Sequence, residues 1–161
     1  MKSRMSVIKF SWLAVIALIA AVVGWLVTVL VNRVGFPTPV LPYSALITLA
    51  LVIVIVLILG LRVRRWRNGN HERELSPILA ARTLILAQAS AYAGALILGW
   101  HLGILVDALM ATFYGASISL LGPPAALIVG SLAMIAVGIM VERFCRIPPE
   151  DGTDSGGSVA A

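Results

Sequence analysis

The chain has one cysteine, Cys145, in 161 residues. That excludes an intramolecular disulfide and any multi-cysteine metal site. Charge is also scarce: charged residues make up 12% of the sequence, against about 25% in an ordinary soluble domain. No aspartate or glutamate lies in the central part of any long apolar stretch. An intramembrane carboxylate, a common marker of ion pathways, is therefore missing. There is no glycine-rich phosphate loop and no paired metal motif. His101 and Asp107 are six residues apart, a poor spacing for two ligands on one helix face. His71, Glu72 and Glu74 share a loop without a nucleophile or an oxyanion site beside them. No enzymatic activity and no cofactor are expected.

What the chain does have is apolar length. Its residues are 60% hydrophobic and its mean hydropathy is +1.02. Four stretches carry this excess: Phe10–Val31, Tyr43–Leu61, about 78–102 and about 124–141. A bilayer core takes roughly 20 apolar residues in helical form, and each stretch supplies that or nearly so. The pattern predicts an all-α polytopic membrane protein with four transmembrane helices. Residues 1–149 would form one membrane domain, and residues 150–161, which lack apolar groups to bury, a disordered polar tail. The first stretch has the basic start of a signal peptide, but its 22 apolar residues exceed the roughly 7–15 of a signal core. It also ends at Val29–Arg33 without a small-residue cleavage pattern, so a retained signal-anchor is expected.

The net charge of +5 is best read as topology rather than as nucleic-acid binding. Lysine and arginine collect on the cytoplasmic side of membrane proteins. Lys2, Arg4, Lys9, Arg62, Arg64, Arg65, Arg67, Arg73, Arg82, Arg143 and Arg146 all fall on one side of the predicted spans, and Arg33 alone on the other. Both termini and the middle loop are therefore expected in the cytoplasm, with the protein in the cytoplasmic (inner) membrane. Arg62, Arg64, Arg65 and Arg67 cluster beside the second span with Trp66, a pattern suited to anionic lipid head groups. Pro37, Pro39 and Pro42 predict a short, stiff outer turn. Asn68-Gly69-Asn70 signals a turn in the middle loop, and Ser76-Pro77 a capped helix start.

The third span carries the most specific pattern. Ala87, Ala91, Ala95, Gly99 and Gly103 recur every four residues, a shallow ladder extending roughly 24 Å at about 1.5 Å per residue. Such faces let membrane helices approach closely. The partner can be another span, a second copy or a different membrane protein, and packing within the chain is the default expectation. Ala126, Gly130 and Gly138 in the fourth span can receive the ladder. Arg82 can snorkel to the interface or pair with Glu142. Gln88 and Ser90 lie deeper and are expected to face protein in structural hydrogen bonds. Leu102, Val106, Leu109, Met110 and Phe113 share a face. They predict an extension of the third helix or a short outer interfacial helix.

Two segments carry a family resemblance: Pro77–Gly103, with Pro77-Ile78-Leu79-Ala80-Ala81-Arg82-Thr83 running into Leu86–Ala91, and the ending Val141-Glu142-Arg143-Phe144-Cys145-Arg146-Ile147-Pro148-Pro149. Together they resemble a family of small actinobacterial membrane proteins known as domain of unknown function 3180. The resemblance covers most of the chain. It implies a four-span protein without an established activity, whose genes often lie near folate-biosynthesis genes. It implies no catalytic residues. Arg82, Glu142, Arg143 and Cys145 match the family pattern, whereas many members have lysine where this chain has Gln88. The expected role is that of a non-enzymatic accessory or scaffolding subunit acting through helix–helix contacts. The alternative is a small oligomeric transporter or channel.

Overall fold

A computed structural model describes residues 10–36, 44–67 and 77–145. The described residues form four long helices, α1 Phe10–Val34, α2 Ser44–Arg67, α3 Pro77–Phe113 and α4 Gly122–Cys145, with one 3₁₀ turn at Ile118–Leu121. All four helices are long and apolar enough to cross a membrane. The chain is thus an all-helical protein with four candidate spans.

The helices outrun the apolar stretches that announce them, and local chemistry explains where α1 and α3 stop. Beyond Val34, Gly35 takes φ 80. Its N–H donates to the Asn32 carbonyl at 3.3 Å, and the Phe36 N–H to the Val31 carbonyl at 3.2 Å. This is the paired closure of a Schellman motif, which a residue with a Cβ adopts only at a cost. α3 ends the same way. Gly115 takes φ 96, and the N–H groups of Gly115 and Ala116 reach the Thr112 and Ala111 carbonyls. Of the two forms expected after Leu102, the extension is the one found. At 37 residues, α3 is about 55 Å long at ~1.5 Å per residue, well beyond the roughly 30 Å hydrocarbon core. Ser117 caps the 3₁₀ turn by accepting from the Ser119 N–H, and α4 follows at once. The Pro37–Pro42 turn, the Asn68–Asn70 turn, Ser76, the loop residues His71–Glu74 and the tail lie outside the described residues.

Close approaches fix the helix directions. Leu13 packs with Ala91 and Ala95, Gly99 lies against Ala17, and Gly103 against Ala21 and Gly24, so α1 and α3 run parallel. Gly94 meets Ser131 and Ile135, and Gly138 meets Ala87 and Ala91, so α4 runs antiparallel to α3. Gly130 lies near Leu46 and Leu49, and Gly60 near Val141, so α2 and α4 run parallel. Alternating directions in chain order are what four successive crossings require. They also bring Phe10 and Cys145 towards one end of the molecule.

The arrangement is a row rather than a closed bundle. α1 lies along α3, α3 along α4, and α4 along α2, while α2 touches α3 sparsely. The backbone of α1 approaches neither α2 nor α4 closely. Its buried residues, Leu13, Ala20, Gly24 and Thr28, form one stripe facing α3.

Candidate functional site

The small-residue ladder is used up inside the chain. Ala87, Ala91 and Ala95 are buried in three-helix clusters, and Gly99 and Gly103 are buried as well. The N-terminal rungs, Ala87 and Ala91, meet Gly138 of α4, while the C-terminal rungs, Gly99 and Gly103, meet α1. The change of partner follows from geometry: residues four apart drift by about 40° per step on a 3.6-residue helix. The approach on the α1 side is at backbone distance. A Cβ on Gly24 would come within 2.7 Å of the Trp100 carbonyl oxygen, and one on Gly99 would collide with that of Ala17. α1 contributes Ala17, Ala20, Ala21 and Gly24 to this seam, a matching small-residue face that sequence reasoning overlooked. Of the three residues expected to receive the ladder on α4, Gly138 does so. Gly130 faces α2 instead, and Ala126 is half-buried.

Three buried hydroxyls find acceptors on their own helices. Thr28 donates to the Gly24 carbonyl at 2.7 Å, Ser131 to that of Leu127 at 2.7 Å, and Ser90 to that of Ala87 at 2.8 Å. His101 differs. It is fully buried, with Nδ1 2.8 Å from the Ile97 carbonyl oxygen. A carbonyl only accepts, so Nδ1 carries the proton, and Nε2 of the neutral ring presents a lone pair. Among the described residues no hydrogen-bond partner meets that Nε2. The face of α3 that carries Gly94 onto Ser131 carries His101 two turns further along, towards the level of Pro124 and Leu127. Both of those are fully buried. Ending the span at Leu102 puts His101 at a boundary, whereas the longer helix puts it inside.

Arg82 and Glu142 occupy different environments. Arg82 is exposed, as snorkelling requires, whereas Glu142 is buried at 4% exposure. Glu142 and Thr83 are both buried, Gln88 is half-buried, and each of the three is engaged in a polar or electrostatic contact. Arg62, Arg64 and Arg65 are exposed at the end of α2, and the side chain of Arg67 lies outside the described residues. Arg64 has a protein partner: its guanidinium sits 4.7 Å from the centroid of the Phe144 ring, a cation–π contact tying α2 to α4. At the opposite end the Asn32 amide donates to the Asp107 carboxylate at 2.8 Å, fastening α1 to α3. The Cys145 thiol is half-buried. Among the described residues no three His, Cys, Asp or Glu side chains gather as a metal site.

Four apolar helices with their small faces sealed together and their polar side chains mostly at the ends define a polytopic α-helical membrane protein. The model of the family described as "Protein of unknown function (DUF3180)" matches residues 13–149, and the chain belongs to that family. No curated protein and no solved structure matches it.

Proposed function

We propose that the chain is a non-catalytic subunit of the cytoplasmic membrane, with both termini in the cytoplasm, that acts through helix–helix contacts with another membrane protein or a second copy. The observation that supports this most is the position of α1. It is attached along one stripe to α3, which leaves Val15, Leu18, Ile19, Val22 and Leu26 exposed. The arginines at one end support the orientation, and Arg62 and Arg65 are placed to meet anionic head groups. The contact surface for a partner is then the outer face of α1 rather than the ladder. Photo-crosslinking from Leu18 and Val22 in living cells tests this. A discrete protein adduct of one size is expected, and lipid adducts alone would contradict it.

His101 favours a second reading, a small oligomeric transporter or channel. An ionisable side chain inside a membrane helix is a default marker of an ion or substrate path. Flux of protons or small cations in proteoliposomes, lost in His101→Gln with assembly unchanged, would favour this reading over the first.

A further inference from the structure

A recess of about 260 Å³ lies between α2, α3 and α4, floored by Leu127 and Met134 of α4. One wall is the face of α2 from Ala45 to Val52, and the other is Ile97 of α3. It exists because α2 follows α4 and stands away from α3. Gly130 near Leu46 and Leu49 holds α2 to α4 at the level of the recess, and Gly60 against Val141 does so beyond its Val52 end. Its walls are carbon apart from Thr48, which is exposed.

Position and size restrict the occupant. Val52 is ten residues from Arg62, or about 15 Å along the helix, roughly half the hydrocarbon core. Ala45, at its other end, is seventeen residues from Arg62, or about 25 Å, so the recess opens at hydrocarbon depth, where a polar ligand would find only the Thr48 hydroxyl to exchange for its hydration. A helix, with a diameter of about 10–12 Å, does not enter a space of 260 Å³. A single flexible chain does, and it gains close contacts along three walls in place of one. We propose that this recess binds one hydrocarbon chain of a membrane lipid. The assignment is independent of the subunit reading.

The test reconstitutes the full chain in nanodiscs of phosphatidylcholine bearing a diazirine midway along one acyl chain, followed by irradiation and peptide mapping. Adducts are expected to concentrate on Leu49, Ile97 and Met134 over Leu18 and Val22 of α1. The variants Val52→Phe and Ala45→Leu, which fill the recess, are expected to lose the recess adducts and keep those on α1. An even spread over α1 and the recess would show ordinary surrounding lipid and overturn the proposal. So would a crosslink from the recess to a second polypeptide. The distribution in the unaltered chain decides the matter whether or not either variant folds.

Discussion

His101 is the residue whose environment and chemistry disagree most. An unmet buried hydrogen-bonding atom costs about 1–3 kcal/mol, and three other buried polar side chains, Thr28, Ser90 and Ser131, avoid that cost within their own helices. A ring retained for packing alone should be replaceable by another ring. His101→Phe is therefore expected to leave thermal unfolding in detergent unchanged or raised, while any transport or assembly phenotype is lost. A large fall in stability would instead mean that Nε2 is satisfied structurally. The glycines give a second prediction at this scale. A Cβ at Gly99 meets the Ala17 backbone, whereas one at Gly130 meets the tips of Leu46 and Leu49 at 3.3 and 3.5 Å. Gly99→Ala should cost about 1–3 kcal/mol through overpacking, and Gly130→Ala much less, as read by denaturation of the purified protein. Equal effects would contradict the α1–α3 seam described here. The ladder was legible in the sequence because it is periodic. The matching face on α1 was not singled out, although Ala17 and Ala21, and Ala20, Gly24 and Thr28, are likewise spaced by four, because the Val, Ile and Leu around them give α1 a uniformly apolar look. Nor was the unmet Nε2, which depends on what faces it across the seam.

Among the elements, α3 organises the rest, since α1 and α4 pack along it and α2 reaches it through α4. The existence and order of the helices could be read from hydropathy alone, because a bilayer demands length and apolarity and little else. The start of α3 at Pro77 could be read as well, and its run to Phe113 was one of two forms expected, but the last turns of α1 and α2 could not. The end of α1 closes through Gly35 and that of α3 through Gly115, while Arg62–Arg67 continue the α2 helix past its apolar stretch. The Asn32–Asp107 bond was equally hidden, since the two residues lie 75 positions apart. It is a bond to a charged acceptor, worth about 1.5–3 kcal/mol in such series. Asp107→Ala should speed amide hydrogen exchange in the last turns of α1 while leaving Leu13–Ala20 protected. Uniform protection along α1 would show that the clamp contributes nothing.

For the whole molecule, the row of helices has two consequences. The first concerns orientation. In the proposed orientation, which puts the arginine-bearing ends of α2 and α4 at the cytoplasmic face, a membrane-impermeant maleimide should label Cys145 after permeabilisation and not before. Labelling of intact cells would invert the topology. The second concerns partners. A closed bundle would bury each helix on two sides, but here α1 is held on one, so its remaining face is open to whatever shares the membrane. The measurement that bears most directly on this account is gentle purification of the full chain from its native membrane, with mass spectrometry of the intact assembly. A stoichiometric partner or a defined oligomer is expected, lost on combining Leu18→Ala with Val22→Ala, while the α1–α3 seam survives. A monomer carrying lipid alone, unchanged by those substitutions, would contradict it.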